Sequence, residues 1–487
     1  MGKFAGHLWR TLILGGEGAG AATLSPLRKR DDRTFRVFVD KTRKFGLTQL
    51  SDLSTKASAA DRERPQSIGR RGILAAASTI GCTLASRCVS GSPIIHIPKR
   101  RKLRVLGTHV TLQEQIRLRA EQDLGIDIEF SPGGSAQILH QASTRPQTFD
   151  LYEQWSNSIR VLWQSGAIAP IDSKRLRYWD EINALTKQGR LTPDAPIGAG
   201  DAPNRLLYIQ SNGRLGSNAT SEISFLPYVH NVDSFGYNAN ALTRGTPYEG
   251  ESWDWLLDPS HHGKVAIVNE PTIGLFDLAL AAQSQGWFAP RDIGALTRRE
   301  LDQLFDRLVR LRRQGFFRGV WTSVPHSVEL MDHGEVVVES MFSPAVFDLR
   351  GRGVDCVYAS PREGYRAWHG VMCMSSAIDD DTRDAAYEYM NWWLSGWPGA
   401  LIARQGYYIS NPQRAREHLH PDEWDYWYMG KPAARDLKGT NDEIVVRRGR
   451  TRDGGSYSNR FSRVAVWNTV METYEYSLRR WHDFLAA

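Results

Sequence analysis

The chain predicts an α/β fold built as two lobes behind a leader segment. Short β-branched runs alternate with helical patterns along the body, the order expected of parallel strands joined by crossover helices. That body holds about 390 of the 487 residues, more than one ordinary core accommodates. The basic charge is confined to the first hundred residues.

Ser67-Ile68-Gly69-Arg70-Arg71-Gly72-Ile73-Leu74 sets two arginines before an uncharged, alanine-rich stretch over 72–85. That stretch is short of the roughly 20 apolar residues that span a bilayer. A charged head, a short apolar middle and small residues near Ala85-Ser86 describe a twin-arginine export signal over 70–91, not an anchor. The bland alternative is a buried helix behind a basic loop. Residues 1–69 read as a disordered presequence or an extension from a misassigned start codon. Thr79-Ile80-Gly81-Cys82 only weakly matches a lipoprotein cleavage box.

The first hundred residues carry 18 of 61 basic and 7 of 54 acidic residues, which leaves 43 against 47 and a body at net −4. A nucleic-acid partner would want a basic face on the folded body, so none is expected. Of four cysteines, Cys82 and Cys88 lie in or beside the leader. Cys356 and Cys373 either pair in an oxidising compartment or stay solitary and buried.

Leu103-Arg104-Val105-Leu106-Gly107 predicts a strand. Thr111-Leu112-Gln113-Glu114 predicts a capping box, its helix running to Leu124 and stopping at Gly125 in a left-handed cap. Ile126-Asp127-Ile128-Glu129-Phe130 alternates as a half-buried strand, and Phe149-Asp150-Leu151-Tyr152 is another. This order implies parallel pairing. A second series follows: a strand over 234–238, a short helix over 253–257, a strand over 263–268 and an apolar helix over 275–285. Leucines at 301, 304, 308 and 311 mark an amphipathic helix, 334–339 a strand, and Asp381-Thr382 the cap of a helix through Trp393. The tail is rich in Trp, Tyr and Arg and predicts a final helix over 464–485.

Four stretches, in order, resemble the extracellular solute-binding proteins of ABC importers, in particular the spermidine/putrescine-binding branch. They are Gly125-Ile126-Asp127-Ile128-Glu129 with Thr148-Phe149-Asp150-Leu151, and Leu226-Pro227-Tyr228 through Phe235-Gly236-Tyr237-Asn238 to Ser252-Trp253-Asp254-Trp255-Leu256-Leu257-Asp258-Pro259. Then come Gly334-Glu335-Val336-Val337-Val338, and Ala385-Ala386-Tyr387-Glu388-Tyr389-Met390-Asn391-Trp392-Trp393 with Gly406-Tyr407-Tyr408-Ile409-Ser410-Asn411-Pro412. The resemblance covers roughly 102–487. It implies a two-lobe periplasmic-binding-protein fold with a hinge and an interlobe ligand cleft, closing like a Venus flytrap. The lobes would be 102–228 with 369–412, and 229–368 with 413–487 including the tail. Crossings are expected near 228–234 and 368–371. The implied protein is a periplasmic monomer that hands a small solute to an ABC permease and its ATPase.

Polyamine-binding relatives hold ammonium groups with carboxylates and stack methylenes between rings, which suits cation–π attraction. On the matching positions, Trp368 is the stacking tryptophan and Phe342 replaces a second. Gly370 stands where a carboxylate is expected, and the acidic pair after the cleft strand is reduced to Glu270. Thr108 replaces an aromatic, while His109, Trp155, Ser156 and Asn157 occupy cleft-lining loops. A small amine, a quaternary ammonium or a zwitterion suits this set better than a long polyamine. Arg460 and Arg463, in the tail, are candidates for a carboxylate or phosphonate. Each pick has a plainer role: packing for the rings, helix capping for His109, a surface position for Glu270, salt bridges for the arginines. Tyr407-Tyr408 is like the tandem tyrosines of ferric-binding relatives, yet it lies in a widely shared Gly-Tyr-x-x-x-Asn segment and reads as structural.

No Gly-x-Ser-x-Gly elbow, His-Glu-x-x-His helix or phosphate loop occurs, and His261-His262 reads as a turn. No catalytic residue, metal or cofactor is expected. The alternatives are a secreted carbohydrate-active hydrolase with an acid/base pair, or a sugar- or ferric-ion-binding protein on the same fold.

Overall fold

The computed structural model describes residues 101–487; the leader readings and Cys82 and Cys88 lie outside the described residues. Strand Lys102–Gly107 buries Leu103, Val105 and Leu106 and pairs in parallel with Asp127–Pro132 and Leu151–Trp155. Helix Glu114–Leu124 ends at Gly125, whose φ of 63° suits a residue without a Cβ. Its expected capping box does not form. Gln113 holds the N-cap position without a side-chain bond, Thr111 Oγ1 and Tyr228 Oη are hydrogen-bonded at 3.0 Å, and Glu114 pairs with Arg117. A tertiary partner outcompetes the local one here.

The second series is Val265–Val268, Phe317–Trp321 and Val338–Met341, again parallel. The last strand starts later than its β-branched run, because Gly334 at φ 71° turns the chain out of helix Val324–Asp332. Helix Arg298–Arg313 carries a full Thr297/Glu300 capping box and buries Leu301, Leu304 and Leu308. Asp379, not Asp381, caps helix Asp380–Leu394, accepting from the Thr382 amide at 2.8 Å.

Two long antiparallel strands, Leu226–Asn238 and Tyr365–Ser375, stand at the middle of one eight-strand path and join its halves. One half packs on a core around Leu103, Ile116, Tyr152, Met372 and Trp393. The other packs on Phe235, Trp253, Leu278, Leu304 and Trp481. The tail corrects the expectation of one helix: Val464–Trp467 is a strand running parallel to Tyr365–Ala367, and only Tyr474–Ala486 is helical. Val464-Ala465-Val466-Trp467 carries two β-branched residues and an aromatic one, so it suits the sheet. A third cluster, with Trp427, Tyr428, Tyr457 and Phe461, is built mainly by the tail and includes Val232, Tyr365 and Ala367 of the joining strands. Cys356 and Cys373 are buried free thiols.

Candidate functional site

Ligand crevices in parallel α/β sheets open beyond the carboxyl ends of the strands. Four such ends supply the candidates: Thr108 follows Gly107, Ser156 follows Trp155, Glu270 comes two residues after Val268, and Phe342 follows Met341.

Thr108, Trp155 and Trp368 converge with Gln154, Tyr228 and Gly370 around a crevice too tight to admit a water molecule. Trp155 meets Trp368 edge-on at 4.9 Å, and Tyr407 meets Trp368 at 5.5 Å; such T-shaped contacts satisfy both ring quadrupoles. A Cβ on Gly370 would stand 3.2 Å from the Tyr228 ring. That tight fit gives a physical reason for the missing carboxylate.

Asn157 and Glu270 meet through Thr272. Asn157 Nδ2 donates to Thr272 Oγ1 at 3.3 Å, and Thr272 Oγ1 donates to Glu270 Oε1 at 2.8 Å. The same oxygen takes the Thr272 amide at 3.1 Å, so Glu270 is the N-cap of helix Pro271–Ser284. Burial raises its carboxyl above the ordinary glutamate range.

The other candidates are not gathered there. His109 is exposed. Ser156 is buried, its hydroxyl without a partner. Phe342 stands edge-on to Trp321 at 5.2 Å, at the start of helix Ser343–Gly351. Arg460 is buried beside the tail aromatics, donating to Tyr408 Oη at 3.2 Å and to the Val232 carbonyl at 3.1 Å. Arg463 is exposed, 4.2 Å from the Tyr248 ring.

Sequence reasoning passed over Asn231 and Asp233 and read Tyr407 as structural. Asn231 pairs with Trp368 and Asp233 with Arg366 across the two joining strands, so all four side chains share one face. Asn231 Nδ2 donates to Ser343 Oγ at 3.3 Å. Asp233 accepts from Tyr358 Oη at 3.0 Å and lies 3.6 Å from Arg366, which donates to Asp277 at 2.7 Å. Burial pushes Asp233 up to about 6 despite the opposing pull of Arg366. The sequence signal was weak: two polar residues spaced by two, in a strand that also holds His230 and Ser234. On the other face His230 and His369 oppose each other, and burial drives both down to about 3, so both are neutral.

Residues 118–425 match the model of the bacterial extracellular solute-binding proteins. Among solved structures, the spermidine/putrescine ABC transporter substrate-binding protein PotD from Streptococcus pneumoniae is similar, at 12% identity and TM-score 0.54 over 79% of this chain and 99% of that one. The Tp0655 (TpPotD) lipoprotein of Treponema pallidum matches at 12% identity and TM-score 0.54 over 79% and 100%. A putative spermidine/putrescine ABC transporter protein from Listeria monocytogenes matches at 14% identity and TM-score 0.53 over 79% and 98%. At such identities the likeness establishes the periplasmic-binding-protein fold. No curated protein matches the chain.

Proposed function

This chain belongs to the bacterial extracellular solute-binding proteins, and on that premise we propose that it captures a small amine or zwitterion for an ABC permease. Export by the twin-arginine leader places it in the periplasm, where it works as a monomer. The ligand sits against the Trp155–Trp368–Tyr407 wall, with its cationic end toward Glu270. The observation that carries this reading is the wall itself, three rings in edge-on contact, Trp155 with Trp368 and Trp368 with Tyr407. Ring faces attract cations, and the one carboxylate oxygen not used in capping, Glu270 Oε2, is left for an ammonium group. The Asn157–Thr272 bond supports closure of one half on the other around the ligand. Transport needs no bond-breaking chemistry, only a closed form that binds solute more tightly than the open form.

A thermal-shift panel tests this: putrescine, spermidine, choline, betaine, amino acids, aminophosphonates, sugars and ferric citrate. A ligand at a thousandfold excess over Kd stabilises by about 4 kcal/mol. A shift with amines or zwitterions supports the reading; a shift only with sugars or ferric citrate overturns it.

A further inference from the structure

Beside the tail lies a cavity of about 20 Å³ lined by Ser343, Arg350, Tyr358, Arg452, Asp453 and Arg460, among others. Three guanidinium groups thus share a void with one carboxylate. That carboxylate is already engaged. Asp453 pairs with Arg350 and also accepts the Tyr358 amide at 3.1 Å.

Arg452 and Arg460 make no ion pair among the described residues. They are 9% and 2% exposed, so water does not compensate them. Arg452 donates to the Gly406 carbonyl at 3.1 Å and lies 5.1 Å and 4.8 Å from the Tyr408 and Trp427 rings. Arg460 spends its Nη atoms on Tyr408 Oη and the Val232 carbonyl. One nitrogen of each stays unsatisfied: Nη1 of Arg452 and Nε of Arg460. The two guanidiniums also repel one another, and Asp453 attracts Arg452 without pairing to it. Asp233 attracts Arg460 through space without pairing to it, and its ion-pair partner is Arg366.

Arginine does not discharge itself by losing a proton, and a buried uncompensated charge is costly. Ring faces accept a cation above the guanidinium plane and offer no lone pair to its in-plane N–H groups. A counter-anion is the remaining solution, and size selects its class. The void exceeds the roughly 10–15 Å³ that a single water-sized occupant needs, and a monatomic anion is the smallest counter-ion that meets that need.

We propose that this cavity is a site for a monatomic anion, chloride in the cell, held between Arg452 and Arg460. The site is separate from the Trp155–Trp368 wall and does not depend on the identity of the solute. It would tie the tail to the joining strands, since Arg460 holds Val232 and Arg452 holds the Gly406 loop.

The test is thermal unfolding of the full chain in sodium gluconate progressively replaced by sodium chloride at constant ionic strength. The expected result is a melting temperature that climbs and saturates with chloride. Arg452→Gln flattens the response, while Arg447→Gln, whose exposed guanidinium pairs with Asp436, keeps it. Equal melting temperatures in both salts, or an undiminished chloride response in Arg452→Gln, overturns the proposal. Should Arg452→Gln fail to fold, crystals of the unaltered chain grown in bromide decide the matter. An anomalous peak between Arg452 and Arg460 supports the site, and its absence or a water in its place refutes it.

Discussion

Glu153 offers the sharpest thermodynamic handle on the frame that holds the aromatic wall. It sits on the strand that ends in Trp155 and is fully buried. Its Oε2 accepts from Tyr228 Oη at 3.0 Å, and no cation stands opposite it among the described residues. Burial pushes its carboxyl from the ordinary 4.5 up to about 7. Because the folded value is raised, the favourable contribution is full below about 4.5 and is lost as pH climbs through 7. The gap corresponds to about 3 kcal/mol of lost stability at pH 8. Glu153→Gln keeps the volume and an acceptor for Tyr228 but never charges. With an unfolding entropy of about 2.1 cal/mol/K per residue, the variant should melt roughly 3–4 °C above the unaltered protein at pH 8. Near pH 4.5 the two should nearly coincide. Differential scanning calorimetry at both pH values reads this directly. A gap that does not widen with pH, or a variant that melts lower at pH 8, would refute the assignment of Glu153 as a buried, uncompensated acid.

Three further outcomes are expected. Trp368→Ala should lose about 3–5 kcal/mol of stability in denaturant unfolding and abolish the ligand-induced thermal shift, whereas Trp368→Phe should retain part of that shift. Asp277→Asn leaves Arg366 without its close partner and should cost about 3–5 kcal/mol by the same unfolding assay. Asn157→Ala removes the bond to Thr272, worth about 1 kcal/mol, and should enlarge the ligand-free radius of gyration in small-angle scattering.

Much of the frame was legible because it is locally encoded. The Gly125 stop, the Leu301–Leu304–Leu308 stripe and the short parallel strands follow from residue types at fixed spacing. Misses came where distant partners decide. Thr111 left its capping box for Tyr228, over a hundred positions away, and Val464–Trp467 became a strand because Tyr365–Ala367 offered an edge. The site divides the same way. Thr108, Trp155 and Trp368 were read from matching motifs and do converge on one crevice. Arg460 was assigned to ligand, yet it lies buried against Tyr408 and Val232. Asn231 and Asp233 escaped notice because their importance comes from register: only the pairing with Trp368 and Arg366 sets them on that face.

The central claim, an amine held on the tryptophan wall beside Glu270, is tested most directly by isothermal titration calorimetry. Choline, betaine and putrescine would each be titrated into the unaltered protein, Glu270→Gln and Trp155→Leu. The account expects saturable one-to-one binding of at least one of them, weakened at least tenfold by each substitution. Binding that survives both substitutions undiminished, or heat evolved only with sugars, would contradict it.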